Sequence, residues 1–587
     1  MNETELLLNI LSGILCENKE KPTGSTAIEL EYTKADYSKI KKILIIQFSA
    51  FGDVIITNNL LDTLKNRFET HILTLKNNSG IVSEKINKIE LDQNILLTGN
   101  KNLIITLFKK LVDIINSLNF DLIINLHPSE YSAVLSSCLI SHYFLGQKFD
   151  PVNKKITAYF DLSFYLKYFI KYYSQITDNF YNIPLADMYR LFSQSLKTLL
   201  NVNSIVQASD KNKNIVICPG GKWDSKLWNP KNFAELINLI SDNFGEFTYL
   251  ITGDVSEKKM IEQIYVLCKY KNRITLNAGD IELRELKKII SESAFTITND
   301  TAILHLSNYL NTPSIVLISS TITIPFGDNF IIVADKNCSG CMEKKCPKKN
   351  DCINKISCVT VFNLVRDYIN SGFSILETSK KYAGCENQMF PNKIYYTLKN
   401  DDFPLRFQYP VSIEQANENS LLNDLLFFSG TIAVIGNNYL TDENKKIISE
   451  SLSKRIITIY KNYSLKKTAI INAAENITAD LSFIKIRINK IFKQSIRING
   501  DTLKDFYKIY HSEESELSKK KIYNIFIKPY DILLYEFSNK HPENLFSKEN
   551  KKYLEKIKLS VKIKKTAVEN LDFIFNLVLK NICENFF

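Results

Sequence analysis

Two stretches of this chain alternate short apolar, β-branched runs with segments of helical spacing, and most runs stop at a glycine, asparagine or aspartate. Such alternation constrains the fold strongly. Parallel strands need a crossover of about a dozen residues or more, usually a helix, so the pattern predicts parallel sheets with helices on both faces. The first stretch opens with KILII, where Ile43 to Ile46 read as a strand buried on both sides. It halts at Phe51-Gly52-Asp53 and resumes with Val54, Ile55, Leu60, Leu61 and Leu64 near helical spacing. Gly52 permits a tight turn or a close backbone approach, and Asp53 falls where helix-starting acids are favoured. Read locally, Asp53 is a helix-capping acid. THILTL, helical material from Val112 to Leu118, DLIINLH ending at His127, and a helix from Ser132 to Ile140 complete this stretch.

The second stretch begins at NIVICPGG. It runs through a helix at Phe233 to Ile240, FTYLITG, a helix around Lys258 to Leu267, RITLNAG, a helix at Leu283 to Ser291, AFTITND, a helix at Ala302 to Leu310, and SIVLISS. Ligands of open parallel sheets bind beyond the carboxyl ends of the strands. The expected organisation is therefore α/β, with two similar domains and a cleft between them. The domains run from 39 to 206 and from 207 to 375, with a polar seam at 207–214. A leader helix and linker would occupy residues 1–38. Beyond about 375 long Lys- and Ile-rich segments predict a mainly helical accessory domain, 376–587.

No segment of the 587 residues reaches the roughly 18 uninterrupted apolar positions of a spanning helix. Glu3 and Glu5 stand where a signal peptide needs positive charge, so a cytoplasmic protein is expected. The net charge of +11 is concentrated after Ser371, where 33 Lys and Arg face 25 Asp and Glu. That excess suits either ordinary solvated helices or peripheral contact with an anionic inner membrane face. No consecutive basic block points to nucleic acid. Cys338, Cys341, Cys346 and Cys352 follow C-x2-C-x4-C-x5-C spacing, which suits a structural zinc or iron site or a set of reduced thiols.

Five segments in order, SAFGDVIIT, DLIINLHPSEYSA, CPGGKWDSKLWNPKNFAELI, ITNDTAILHLSNYLNTPSIVLISST and the cysteine block, resemble glycosyltransferase family 9, the ADP-heptose:lipopolysaccharide heptosyltransferases, over residues 41 to 372. The resemblance implies a GT-B fold of two facing Rossmann-like domains. It also implies inverting transfer with no cofactor or metal in the chemistry. Asp53 would be the general base beside the acceptor hydroxyl, with Gly52 leaving room for substrate, and Lys226 would hold the departing phosphate. Gly220, Gly221, Glu257, Asp300, Thr301, Ala302 and His305 would bind the nucleotide-sugar, with Glu257 on the ribose. His127 and Ser129 would lie on the acceptor side. Ala302 stands where the family usually has glycine, and Pro128 also departs from the pattern. The acceptor implied is a lipopolysaccharide core or other surface glycan. A protein acceptor, such as an autotransporter or flagellin, and a catalytically silent nucleotide-sugar-binding scaffold are the alternatives.

Overall fold

The computed structural model describes residues 29–32, 37–48, 51–92, 101–127, 129–151, 155–160, 211–321, 325–334, 343–346, 351–382, 393–397, 408–410, 466–497, 503–520 and 551–585, with isolated positions between 425 and 457. The chain forms two compact units, one of Met1–Phe160 with Tyr181–Glu414 and one of Asp161–Phe180 with Gln415–Phe587.

The first unit contains two sheets. The N-terminal lobe has strands β1 (Glu29–Tyr32), β2 (Lys42–Ile46), β3 (Glu69–Leu75), β4 (Asn87–Leu91), β5 (Leu122–Asn125), β6 (Tyr143–Asp150) and β7 (Lys155–Phe160), in the order β1-β7-β6-β5-β2-β3-β4. Helices α1 (Phe51–Leu64), α2 (Lys101–Ser117) and α3 (Glu130–Ser137) link them. All pairings are parallel except the β6–β7 hairpin. The β-branched run Ile43–Ile46 is fully buried, as a central parallel strand covered on both faces must be.

The second lobe has strands β8 (Asn214–Cys218), β9 (Thr248–Gly253), β10 (Ile274–Ala278), β11 (Phe295–Asn299), β12 (Ser314–Ile318), β13 (Asn329–Val333), β14 (Lys393–Thr397) and β15 (Gln408–Pro410). Their order is β10-β9-β8-β11-β12-β13-β14-β15. Its helices are α4 (Pro230–Asn243), α5 (Lys258–Leu267), α6 (Leu283–Glu292), α7 (Ala302–Tyr309), α8 (Cys358–Asn370) and α9 (Ile375–Tyr382). Two mainly parallel sheets, each wrapped by helices, form the GT-B type of α/β architecture expected from the alternation.

Two expected boundaries move. The leader-and-linker region contains β1, whose Glu-Leu-Glu-Tyr sequence has the period-two alternation of a strand and pairs in parallel with β7. The expected leader helix lies outside the described residues. At the other end, the second sheet does not stop near 375. β14, rich in aromatic and β-branched residues, adds antiparallel to β13, and β15 adds antiparallel to β14, so the first unit extends to Glu414. The Lys-rich helical composition around these short strands hid them.

The second unit is mainly helical: α10 (Lys467–Ile496), α11 (Leu503–Leu517) and α12 (Lys551–Asn585). Part of the basic excess is used inside it. Glu513 on α11 binds Arg487 and Lys490 of α10 at 2.6 Å each, and Lys485 of α10 binds Asp572 of α12 at 2.7 Å. Lys564 of α12 is fully buried and donates to the Tyr510 hydroxyl of α11 at 2.8 Å. No helix among the described residues is long and apolar enough to cross a membrane.

Trp228, just before α4, is fully buried, packs edge-on against Phe233 and donates its indole N–H to the Ile356 carbonyl at 2.9 Å. It therefore pins the β8–α4 connection to the segment preceding α8. Trp228→Ala should cost about 3–5 kcal/mol, the usual range for truncating a buried large aromatic. Urea unfolding of the first unit, compared between wild type and variant, measures it.

Candidate active site

β2 and β5 are parallel neighbours, so the residues that follow them emerge at one edge of the first sheet. Asp53 arrives there in the first turn of α1, after β2, and His127 two residues beyond β5. The half-buried Asp53 carboxylate has no hydrogen bond or ion pair among the described residues, so none of these shows it acting as a cap. The His127 ring packs edge-on against Phe48, and the His127 backbone N–H donates to the Asn125 side-chain oxygen at 3.0 Å. Ser129 caps α3, its hydroxyl oxygen accepting from the Ser132 N–H at 3.1 Å. That cap is a local structural task which the expectation of acceptor contact had not included.

In the second lobe β8 and β11 are adjacent, bringing the Pro219-Gly220-Gly221 loop beside Asn299-Asp300-Thr301. Asp300 is the anchor. Its side chain is 4% exposed and binds the Lys226 ammonium, 15% exposed, at 2.7 Å. Thr321 also donates to the same carboxylate oxygen. Burial alone would raise the Asp300 carboxyl. The Lys226 charge, then His305 and the hydrogen bonds from Lys226 and Thr321, outweigh burial and hold it below the ordinary carboxylate range. Lys226 also lies 4.8 Å from the centre of the Trp223 ring.

Lys226 sits on a short turn that the sequence alone does not explain. The Ser225 hydroxyl donates to the Glu343 carbonyl at 2.5 Å and lies 2.8 Å from the Ser320 hydroxyl, while the Ser319 hydroxyl donates to the Ser225 carbonyl at 2.8 Å. Glu343 belongs to the cysteine block, whose described part thus supports the lysine turn. Cys346 is half-buried and Cys352 is buried; Cys338 and Cys341 lie outside the described residues. Among the described residues no group of three or more His, Cys, Asp or Glu is arranged to hold a metal.

The glycines have specific neighbours. A Cβ on Gly220 would meet the Glu257 carboxyl at 2.0 Å, and one on Gly253 would meet it at 2.3 Å. Glu257 occupies this cradle and accepts from the Gly221 N–H at 2.6 Å and the Asp254 N–H at 3.0 Å. Burial pushes its carboxyl above the usual range, against the pull of those two N–H groups. In this structure Gly220 and Gly221 thus shape a seat for a carboxylate of the chain itself. Asn299, which sequence reasoning missed, donates to the Pro219 and Gly220 carbonyls at 2.7 and 3.4 Å and ties the two loops together.

α7 begins at Ala302. Thr301 does not cap it; its hydroxyl lies 3.1 Å from the Thr298 hydroxyl and 3.7 Å from the Cys218 sulfur. His305, one turn on, is 9% exposed, and its Nδ1 is buried without a partner among the described residues. Burial lowers its pKa against the opposing pull of Asp300 and Asp53, favouring the neutral ring. His305 also fills the space beside Gly52, where an added Cβ would lie 2.8 Å from its Cδ2 and 3.6 Å from the Ala302 Cα. On the side where a Cβ would project, the room that Gly52 provides is taken by His305. Through this contact Asp53, His305, Asp300 and Lys226 form one electrostatic group drawn from both lobes.

Two parallel-sheet lobes meeting at such a group define a GT-B type architecture. Residues 108–351 match the family model "Glycosyltransferase family 9 (heptosyltransferase)", and this match supports a glycosyltransferase. Among solved structures the chain is similar to the glycosyl transferase family 9 protein of Veillonella parvula DSM 2008, with 17% identity and a TM-score of 0.45 over 58% of this chain and 100% of that one. It is also similar to E. coli heptosyltransferase WaaC with ADP-2-deoxy-2-fluoro heptose (15% identity, TM-score 0.39, 56% of this chain and 99% of that one). A third is E. coli ADP-heptose lps heptosyltransferase II (15% identity, TM-score 0.39, 57% and 100%). No curated protein matches the sequence.

Two outcomes follow from the geometry. Gly52→Ala improves helix propensity by up to about 1 kcal/mol but drives a methyl into the buried His305 ring. Its expected signature is little change in melting temperature with sugar-transfer turnover lowered about tenfold to a hundredfold, read by steady-state kinetics. Asp300→Asn should cost roughly 3 kcal/mol at pH 7, because it leaves the Lys226 charge without its buried partner. Since the folded pKa of Asp300 is depressed, its contribution is present above the ordinary carboxylate range and is lost as pH falls through the lowered value. The stability gap between wild type and variant should therefore narrow below about pH 4, measured by urea midpoints across pH.

Proposed function

We propose that the protein transfers a heptose or a related sugar from a nucleotide-sugar, ADP-heptose above others, to a lipopolysaccharide core or other surface glycan. The reaction is an inverting displacement that needs no metal. The observation that carries this reading is the packing of His305 against Gly52, which places Asp53 of one lobe beside the helix start whose Asp300 holds Lys226 at 2.7 Å in the other.

In the reaction an acceptor hydroxyl oxygen bonds to the anomeric carbon while the bond from that carbon to the phosphate oxygen breaks. The proton leaves to the Asp53 carboxylate, and the electron pair leaves with the nucleoside diphosphate. A sugar hydroxyl is too weakly acidic to attack unaided, so a positioned base contributes roughly 10²–10⁴-fold. Lys226 has three N–H donors; the Asp300 side chain and carbonyl, at 2.7 and 3.4 Å, use two of them. The third suits a phosphate oxygen and offsets charge on the leaving group. The N–H groups at the start of α7 suit the same diphosphate. Asp300 serves Lys226 first, as its counter-ion. The reading assigns the enzyme to the cytoplasm, with the basic excess of the C-terminal unit favouring peripheral contact with the inner membrane face.

Purified full-length protein incubated with ADP-, UDP- and GDP-linked sugars should release one nucleoside diphosphate preferentially, ADP on this reading. Asp53→Asn should lower release and transfer by about 10²–10⁴-fold. Lys226→Ala should lower them by about 10²–10³-fold. Absence of release and transfer with every donor and acceptor, alongside retained binding, would give the scaffold reading the advantage.

A further inference from the structure

The site described above depends on two helices from different lobes. α1 carries Asp53, and α7 begins beside Asp300. Gly52 of α1 meets Ala302 and His305 of α7 at their amino ends. Further along, the Tyr309 hydroxyl of α7 donates to Asp62 Oδ2 of α1 at 2.9 Å. Both helices advance from the first contact to the second, so they lie side by side in the same sense.

The Asp62–Tyr309 contact is built from more than two residues. Asp62 is 14% exposed, and its other oxygen accepts from Lys65 Nζ at 2.5 Å and from the Ser83 hydroxyl. Its carboxylate is thus held on three sides and cannot follow Tyr309 if the lobes separate. Burial and the Asp62 charge push the Tyr309 hydroxyl above its ordinary pKa range, so it remains a donor at all working pH values. A second tie crosses nearby, from Lys287 Nζ of α6 to the Gly80 carbonyl at 2.7 Å. Asp62 lies nine positions beyond Asp53, about 13–14 Å along the helix at 1.5 Å per residue. A small rotation about this contact is therefore magnified at the carboxylate that must meet the acceptor.

We propose that Asp62 and Tyr309 are positioning residues. Their hydrogen bond fixes the register of α1 against α7, and so the distance between the base on one lobe and the sugar donor held by the other. Neither residue touches the reacting atoms. The role rests on the transferase reading above, but the tie itself does not.

Tyr309→Phe removes one oxygen and keeps the ring. It should lower kcat about tenfold while KM for the donor changes less than twofold, because donor contacts on the second lobe are intact. Asp62→Asn should act in the same direction, and the double variant should be no worse than the poorer single one, as expected of residues acting as a unit. A merely structural role predicts a lower melting temperature with kcat unchanged at temperatures where the protein stays folded, and that result overturns the proposal. Nitroxide labels on non-canonical side chains at positions 109 and 259, one on each lobe, give a readout that needs no turnover. Pulsed EPR should show a broader interlobe distance distribution in Tyr309→Phe than in wild type. An unchanged distribution overturns the tie whether or not the protein transfers sugar. A broadened one beside a wild type inactive on every donor supports the tie and removes the transferase reading instead.

Discussion

The Lys226–Asp300 pair is the interaction on which the rest of the site depends. Two charges withdrawn this far from water cost several kcal/mol each unless geometry and further hydrogen bonds compensate. Compensation comes from Thr321, from the Trp223 ring and from the contact at 2.7 Å. The pair holds a long, flexible side chain at one place beside the start of α7. A lysine left to solvent would lose about 2 kcal/mol of rotamer entropy each time it had to organise a phosphate. Here that ordering precedes any ligand.

Around the pair the loops at the carboxyl ends of the strands are held by side chains rather than by regular structure. Asn299 joins β11 to the loop after β8, Glu257 fills the cradle made by Gly220 and Gly253, and Ser225 is held from both β12 and the cysteine block. Each loop is thus fixed by a partner distant in the chain. The cysteine block gains a definite structural task from this, independent of whether any metal is bound. It supports the turn that carries Lys226.

The C-terminal unit follows different rules. Its lysines and arginines are not only a surface coat, since Arg487, Lys490, Lys485 and Lys564 join its three described helices through acids and a tyrosine hydroxyl. Buried or half-buried pairs of this kind specify which helix faces meet more than they add net stability. The charge available for a membrane or an acceptor is accordingly smaller than the composition suggests.

Much of the fold was legible in the residues alone. Unbroken runs such as Ile43–Ile46 have few places to go except a strand covered on both faces, and helical spacing between them requires parallel crossovers. Asp53 after the first strand and Asp300 after a later one were recognisable because strand ends and helix starts have local signatures. The remainder required tertiary structure. That Gly52 makes room for His305, that Glu257 reaches Gly220 and Gly221, and that Asp62 meets Tyr309 are contacts between residues 36 to 253 positions apart. No local propensity encodes them, because they arise only when strand order and helix packing bring distant segments together. Strands β14 and β15 escaped notice for a related reason: short edge strands take their identity from the sheet they join, not from their own few residues.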